Sequence, residues 1–158
     1  MSARIAIRVG EADFDLGAEY AGLIAAEADS GAVVAFVGRV RDLNLDTQVT
    51  VLELEHYPGM TEKALTRIAE QAAARWALTA VTVIHRVGKL HPAEQIVLVL
   101  TASTHRHAAY DANAYIMDYL KTEAPFWKRE FDGDSAHWVD ARESDTEAMQ
   151  RWQPDEQA

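Results

Sequence analysis

The sequence predicts an α+β domain in which helices pack against a mainly antiparallel sheet. Strand-like and helix-like segments alternate along the 158 residues, but some connections between strands are typical of hairpins rather than of crossover helices. Hydrophobic residues make up 49% of the chain and charged residues 25%, as in ordinary globular proteins. We expect one domain over residues 1–152, large enough to bury a core, and a frayed tail over residues 153–158.

The first half of the chain predicts three strands and one helix. Residues 4–9 alternate between apolar and polar side chains, which is typical of a half-buried strand. Asp15 is a suitable N-cap for the helix that follows. The apolar side of that helix consists of Leu16, Tyr20, Leu23 and Ile24. Apolar residues 32–41 and alternating residues 49–57 predict two further strands, separated by a polar loop at residues 42–48.

The second half of the chain predicts two long helices around a hairpin. Thr61 is a suitable N-cap for a helix that reaches Trp76. Residues 81–87 and 96–101 form two strands whose connection suits an antiparallel hairpin, and the second is apolar on both faces, as in a central strand. The last predicted elements are a helix up to residue 123, a turn at residues 132–135, a short strand at residues 137–141 and a helix opened by the capping box at residues 144–147.

The end of the long helix before residue 123 is the most informative segment. Pro125 removes a backbone donor and restricts the residue before it, so the helix ends near Glu123. Lys121 therefore lies in the last turn, and Lys128 lies just beyond the break. Two aromatic residues between the lysines can form an apolar wall, namely Phe126 and Trp127. A lysine whose pKa is lowered by burial or by a neighbouring cation can act as an acid, base or nucleophile. A solvated helix end is the alternative, because cations favour helix C-termini.

The start of the same helix predicts an anion site. Its first turn has unpaired N–H groups that can hold a phosphate, and Ser103 or Thr104 can cap it. His105 and Arg106 add charged donors where basic residues are otherwise unfavourable, which favours an anion site over a merely capped helix.

Two arginines near the end of the second strand offer another possible anion clamp. Arg39 and Arg41 share one face of the predicted strand, and a guanidinium fits a phosphate in bidentate fashion. Arginines on a strand edge also discourage edge pairing, so both interpretations stay open. No metal site or cofactor is expected, because the histidines near the long helix lack a supporting carboxylate or cysteine pattern.

Composition excludes several classes of protein. The net charge of −10 argues against nucleic-acid binding, and no apolar run approaches the roughly 20 residues of a membrane helix. The N-terminus lacks a signal-peptide core, so we expect a cytoplasmic protein. The chain has no cysteine, which excludes disulfides, thiolate catalysis and zinc–thiolate sites. Any sulfur chemistry must therefore take its sulfur from elsewhere.

Four segments of the chain resemble the large, catalytic subunit of molybdopterin synthase. They are LEHYPGMTEKAL at residues 54–65, VTVIHRVG at 81–88, IMDYLKTEAPFWKRE at 116–130 and WVDARESD at 138–145. They occur in the order and at the spacing of that family. The similarity extends from about Ile5 to Trp152, and the third segment is long enough to be specific.

The resemblance implies a fold and a set of site residues. The fold would be an α/β hammerhead with an added small antiparallel sheet. Lys121 and Lys128 match the family's active-site lysines, and Glu130 matches a pocket carboxylate. The residues that match substrate-binding positions are Arg41, His105, Arg106, Arg129 and, more loosely, Arg142. Arg39 stands where the family often has lysine, and we assign it binding only, because a guanidinium cannot act as an amine base.

The resemblance also implies the reaction and the partners. The family converts cyclic pyranopterin monophosphate into molybdopterin, taking two dithiolene sulfurs from a small ubiquitin-like partner that ends in a Gly-Gly thiocarboxylate. The large subunit forms a dimer, and two small subunits complete a heterotetramer. Two alternatives belong to other classes: a non-catalytic subunit that binds a phosphorylated ligand or a ubiquitin-like tail, and a Schiff-base lyase that uses Lys121 alone.

Overall fold

A computed structural model describes most of the chain. The described residues are 2–41, 43–44, 47–48, 51–132, 135–139 and 143–153, and at 43–44, 47–48, 130–132, 135–139 and 143–144 the description is of the backbone alone. In chain order the elements are β1 (Arg4–Gly10), α1 (Leu16–Ala26), β2 (Ala32–Arg39), β3 (Leu43–Asn44), β4 (Thr47–Gln48), β5 (Val51–His56), α2 (Met60–Arg75), β6 (Leu78–Arg86), β7 (Gly88–Leu90), β8 (Gln95–Ser103), α3 (Arg106–Glu123), β9 (Phe126–Asp132), β10 (Ser135–Val139) and α4 (Glu143–Gln150).

The main sheet has the strand order β1-β6-β8-β2. The predicted hairpin of β6 and β8 is confirmed, and β2 continues the antiparallel pairing on the far side of β8. The edge strand β1 runs parallel to β6, a pairing between distant segments that alternation within β1 could not reveal. The α+β class with a mainly antiparallel sheet is therefore confirmed.

Helices cover both faces of this sheet. Apolar residues of α2 and α3, among them Ile68 and Ile116, pack against Val81, Val83 and Val99 on one face. On the other face, Leu23 of α1 packs with sheet residues that point the opposite way. Because β6 and β8 lie between two helical layers, their side chains are buried on both faces, as predicted for the second of them.

A second antiparallel sheet has the order β10-β9-β5-β7. The resemblance implied a small additional sheet, but sequence periodicity did not reveal β7 or β9. Periodicity placed Phe126 and Trp127 in an irregular segment after Pro125, whereas β9 begins at Phe126 and pairs along the whole of β5. The pairing supplies the backbone partners that make the segment a strand, and those partners lie 70 to 80 positions earlier in the chain.

Helix starts differ from the predictions at two places. The N-cap of α2 is Gly59, with a φ of 85°, while Thr61 lies two residues further in and donates its hydroxyl to the Tyr57 carbonyl at 2.9 Å. The N-cap of α3 is His105 rather than Ser103 or Thr104, because Ser103 still belongs to β8 and donates to the Ala77 carbonyl. Asp15 is the N-cap of α1 as predicted, and its carboxylate accepts a bond from the Ala18 amide at 2.9 Å.

The predicted apolar side of α1 is only partly buried. Leu23 is in the core, but Leu16, Tyr20 and Ile24 are each more than a third exposed. Only one side chain of the predicted apolar side, that of Leu23, is buried against the sheet, and the other three remain outside the core.

Candidate active site

Strand register places the candidate residues at two ends of the main sheet. Ser103 at the end of β8 lies opposite Ala32 and Leu78, while Gln95 at its start lies opposite Arg39. Helix α3 follows β8 and packs back along the sheet, so its first turn is at the Ser103 end and its last turn at the Gln95 end. The two groups of basic residues flanking α3 are therefore separated by its length.

Buried polar contacts fix the position of α3 over the sheet. The Asn113 side-chain amide donates to the carbonyl of Val99 at 3.0 Å and to that of Val34 at 3.2 Å. The Thr101 hydroxyl donates to the Ala109 carbonyl at 2.7 Å. These bonds satisfy polar groups inside the core and specify where the helix crosses β8 and β2.

The C-terminal end of α3 leads directly into the second sheet. Leu120 is buried, Lys121 in the last turn is exposed, and the helix ends at Glu123 as predicted. Ala124 has a ψ of 134°, which is incompatible with a helix and typical of the residue before a proline. Two residues later the chain is already in β9, so Lys121 and Lys128 lie on neighbouring elements.

The predicted aromatic wall is wrong in its geometry. Successive side chains of a strand point to opposite faces, which separates Phe126 from Trp127. The Phe126 ring is stacked on His85 with a centroid distance of 3.8 Å and packs against the main core. Trp127 is 39% exposed and meets Tyr57 edge-to-face. Lys128 alternates with Trp127 and so shares the face of Phe126.

Arg129 lies on the Trp127 face of β9. It is directly opposite Glu53 of β5, and its guanidinium lies 3.9 Å from that carboxylate. Glu130 is placed by its backbone, which pairs with Leu52 of β5 and His137 of β10. Arg142 lies outside the described residues, so its predicted role stays a prediction.

Arg39 and Arg41 are at the same end of the sheet as Lys121, but they do not share a strand face. Strand β2 ends at Arg39, two residues earlier than predicted, and its register shifts between Gly38 and Arg39. The loop after β7 causes this ending, because Val40 exchanges backbone bonds with Ala93 and Glu94 of that loop. The Arg39 Nε atom donates to the Ala93 carbonyl at 3.1 Å, which leaves its terminal nitrogens for a ligand. Arg41 is exposed beyond the strand.

His105 and Arg106 are at the opposite end of α3. Both are exposed, and His105 makes no side-chain cap bond, so no side chain of the helix's own cap occupies the first turn. The turn before β2 packs closely beneath this junction: the Gly31 amide donates to the Ser103 carbonyl, and a Cβ at Gly31 would lie 2.4 Å from the Thr104 carbonyl oxygen. At 1.5 Å per residue, His105 is about 24 Å from Lys121 along the helix.

The structure adds two histidines that the sequence did not single out for the site. His85 at the end of β6 is 5% exposed, and His56 at the end of β5 lies 6.3 Å from the Phe126 ring that His85 stacks on. Burial lowers the pKa of His85 to about 4, with smaller contributions from the charges of Lys121 and His56. The signal in the sequence that could have pointed to His85 is a histidine at an inward-facing position of the largely apolar strand β6.

Other kinds of site have no support in the part of the chain that the structure describes. Within it, no group of three or more histidine and carboxylate side chains could hold a metal ion. None of its helices is long and apolar enough to cross a membrane.

The chain is similar to members of one family of known proteins. A model of the MoaE protein family matches residues 9–123. The molybdopterin synthase catalytic subunit of Ralstonia nicotianae is 59% identical over 146 residues, which cover 92% of this chain and 83% of the relative.

Solved structures agree with this match. The molybdopterin biosynthesis MoaE protein of Burkholderia ambifaria has a TM-score of 0.81 at 52% identity, covering 94% of this chain and 97% of that one. Molybdopterin synthase of Staphylococcus aureus has a TM-score of 0.77 at 30% identity, covering 84% and 96%. The chain therefore belongs to the MoaE family, the family of the molybdopterin synthase catalytic subunits that it matches.

Proposed function

We propose that this chain is the catalytic subunit of a molybdopterin synthase, a sulfurtransferase that converts cyclic pyranopterin monophosphate into molybdopterin. The observation that carries the proposal is the C-terminal end of α3, where Lys121 and Lys128 come from adjoining elements on either side of Phe126, whose ring stacks on the buried His85. Family membership supplies the reaction, and this end of the helix supplies amines placed for it.

The proposed roles follow from charge and position. A thiocarboxylate sulfur attacks a side-chain carbon of the pterin and displaces an oxygen substituent, whose departure Lys121 assists by proton transfer. Water then cleaves the resulting thioester, so that the sulfur stays on the pterin and the partner is released with a C-terminal carboxylate. Lys128 and the arginines hold the phosphate of the substrate and offset the negative charge that develops during the reaction. Positive charge for substrate binding at this end of α3 comes from Arg39, Arg41 and Arg129. The binding roles proposed for Glu130 and Arg142 are those that the family resemblance implies.

The sulfur donor is a partner protein in this proposal. The chain has no cysteine from which a persulfide could form. A small ubiquitin-like subunit with a C-terminal Gly-Gly thiocarboxylate would deliver sulfur beside Lys121, and docking makes the transfer effectively unimolecular. A cytoplasmic location belongs to the same proposal, and cell fractionation tests it.

A second copy of the chain completes the pocket. One phosphorylated pterin is too small to span the roughly 24 Å between His105 and Lys121 of a single chain. In a dimer, His105 and Arg106 of one protomer can approach Lys121 and Lys128 of its partner. With one small subunit per pocket, the assembly is a heterotetramer.

Turnover with a defined sulfur donor tests the function. The purified chain with precursor and inorganic sulfide at modest concentration should give no dithiolene product. Adding a small ubiquitin-like protein with a C-terminal glycine thiocarboxylate should give molybdopterin, with two thiocarboxylates consumed per pterin. The same partner ending in a carboxylate should bind without reaction.

Two results would contradict the proposal. Efficient sulfur insertion without any partner would show that sulfur delivery has been misassigned. Binding of the thiocarboxylated partner and the pterin without product would favour a non-catalytic subunit.

A further inference from the structure

The turn between β7 and β8 contains a backbone conformation that its sequence does not favour. Ala93 has a φ of 75°, and it is the one non-glycine residue with a positive φ in the part of the chain that the structure describes. It is the third residue of a turn over residues 91–94, in which the Glu94 amide donates to the His91 carbonyl at 3.0 Å. With proline second and a positive φ third, this is the pattern of a type II turn, whose third position normally holds glycine. Strained residues of this kind persist only where their surroundings hold them, and they are frequent at ligand clamps.

Backbone bonds hold the turn against the end of β2. The Ala93 amide donates to the Val40 carbonyl, and the Val40 amide donates to the Glu94 carbonyl, each at 2.9 Å. Within the turn, the Glu94 carboxylate accepts a bond from the His91 amide. The conformation of Ala93 is therefore fixed from both sides.

A buried arginine fixes the base of the turn. Arg86 at the end of β6 is 8% exposed. One of its terminal nitrogens donates to the Gln95 carbonyl at 2.9 Å, and its Nε atom donates to the Glu11 carbonyl at 3.1 Å. Since Gln95 directly follows the turn, these bonds connect the turn to the rigid end of the main sheet.

Arg39 is the side chain that this turn binds. Its Nε atom donates to the Ala93 carbonyl at 3.1 Å, and among the described residues this is its one side-chain hydrogen bond. The register of β2 on β8 passes from Gly38 opposite Val97 to Arg39 opposite Gln95, which skips one residue of β8. A β-bulge of this kind changes the direction of a strand side chain.

The bond at Nε leaves a defined set of donors. A guanidinium is planar and has five N–H groups, so with Nε occupied its two terminal nitrogens still form a fork. That fork matches two oxygens of a phosphate. A lysine at this position would keep the charge but could not bind the carbonyl and present a fork as well.

We propose that the turn at residues 91–94 is the positioning element for Arg39, with the Ala93 carbonyl holding Nε so that the terminal nitrogens face the phosphate of the pterin. This inference rests on the proposed function, in which Arg39 binds the substrate. A free arginine side chain loses rotational freedom when a ligand binds. The bond to the turn removes part of that cost before binding.

Substitutions at two positions separate the carbonyl from the guanidinium. Ala93→Val introduces a β-branched residue that disfavours a positive φ, so the turn should change and its carbonyl should move away from Nε. Ala93→Gly permits the same conformation. Arg39→Lys keeps the charge without the fork, and Arg39→Ala removes both. Calorimetric titration with cyclic pyranopterin monophosphate is performed on the complex with the carboxylate-ended partner, after thermal melting has shown that each variant is folded.

The expected losses are in affinity. Ala93→Val should weaken pterin binding about three- to tenfold, the range for ordering one flexible side chain. Both Arg39 variants should weaken it about tenfold or more. Ala93→Gly should stay within about twofold of wild type, and so should the control Arg4→Lys on the exposed face of β1. Wild-type affinity in Ala93→Val or in Arg39→Ala would overturn the proposal.

A double variant distinguishes positioning from general damage to the fold. If the turn acts through Arg39, Ala93→Val should add no more than about twofold to the loss in Arg39→Ala. With the thiocarboxylated partner, Ala93→Val should raise KM for the pterin while kcat stays within about twofold of wild type. Losses that multiply in the double variant, or a fall in kcat with KM unchanged, would contradict a positioning role.

An NMR measurement tests the contact without turnover. In chain labelled with ¹⁵N-arginine, the Nε–H resonance that disappears in Arg39→Lys belongs to Arg39. Its exchange with solvent should be slow in wild type and in Ala93→Gly, and faster in Ala93→Val. Equal exchange rates in wild type and Ala93→Val would overturn the proposal. If the wild-type complex gives no product, the proposed function fails, and this measurement still decides whether the turn holds Arg39.

Discussion

The two ends of α3 carry their basic residues in different surroundings. At its N-terminal end, His105 and Arg106 are exposed around an uncapped first turn, and their charges need only a helix start and solvent. At its C-terminal end, Lys121 is also exposed, but the chain continues within a few residues into β9, where Phe126 stacks on the buried His85 and the strand pairs with β5. The first end is suited to attract an anion, and the second places an amine next to a packed aromatic pair. Under the proposed function, substrate affinity and chemistry are divided between the two ends of one helix.

Of the substitutions considered, Lys121→Ala should reduce activity the most. We expect product formation to fall by about 10²–10⁴, the range for loss of a general acid or base. The melting temperature should remain close to wild type, because an exposed side chain contributes about 0.5 kcal/mol or less. Single-turnover assays with thiocarboxylated partner measure the loss, and Lys63→Ala is the matched control. Wild-type turnover by Lys121→Ala would show that Lys121 has no catalytic role.

Acid should destabilise the C-terminal end through His85. Its pKa falls from 6.5 in the unfolded chain to about 4 in the folded protein, so the unfolded state binds more protons between these values. The stability contributed by neutral His85 is complete above pH 6.5 and decreases as pH falls toward 4. The difference corresponds to roughly 3 kcal/mol at about 1.4 kcal/mol per pKa unit.

Urea unfolding at several pH values measures this effect. The decrease in unfolding free energy between pH 7 and pH 4 should be smaller in His85→Phe than in wild type by about that amount. His107→Phe, which alters an exposed histidine at the N-terminal end, should retain the wild-type slope. Parallel pH curves for wild type and His85→Phe would show that His85 is not neutral in the folded core.

Arg106→Ala should affect binding rather than chemistry. Loss of a charge-assisted contact to phosphate should weaken pterin binding by about 1.5–3 kcal/mol. The salt dependence of binding should decrease as well, because fewer charges are screened. Calorimetric titration measures both, with Arg4→Ala on the exposed face of β1 as control. Unchanged affinity would show that the N-terminal end is not part of the pocket.

The smallest expected effect distinguishes a structural helix start from a functional one. Asp15 caps α1 with its carboxylate, so Asp15→Ala should lower the unfolding free energy by about 1 kcal/mol. His105 makes no cap bond, so His105→Ala should leave stability within about 0.5 kcal/mol while weakening pterin binding. If His105→Ala lowered the unfolding free energy as much as Asp15→Ala, the role of His105 would be to stabilise the fold.

The same comparison explains which features the sequence predicts. The basic start of α3 and the end of the helix near Glu123 could both be predicted from the sequence, because each depends on a local signal. The first signal is a strand–helix junction with basic residues, and the second is a proline. The hairpin of β6 and β8 was likewise predictable from two apolar runs and their spacing. Resemblance to a known family supplied the roles of the lysines.

Features of the C-terminal end of α3 that depend on residues distant in the chain could not be predicted from the sequence. Strand β9 exists because β5 provides its backbone partners, and that pairing separates Phe126 from Trp127. His85 became a candidate only when Phe126 was found stacked on it. The roughly 24 Å between His105 and Lys121, by contrast, follows from the sequence, because the predicted helix already carried both residues.

Mixed dimers test most directly whether one pocket uses opposite ends of α3 from two chains. Lys121→Ala and Arg106→Ala chains carrying different affinity tags are co-expressed, and the heterodimer is isolated and assayed with thiocarboxylated partner. Its two pockets would contain either both substitutions or neither. We expect the heterodimer to show about half of wild-type activity, far above either parent homodimer. Activity no higher than the mean of the two homodimers would contradict the account, because each pocket would then belong to a single chain.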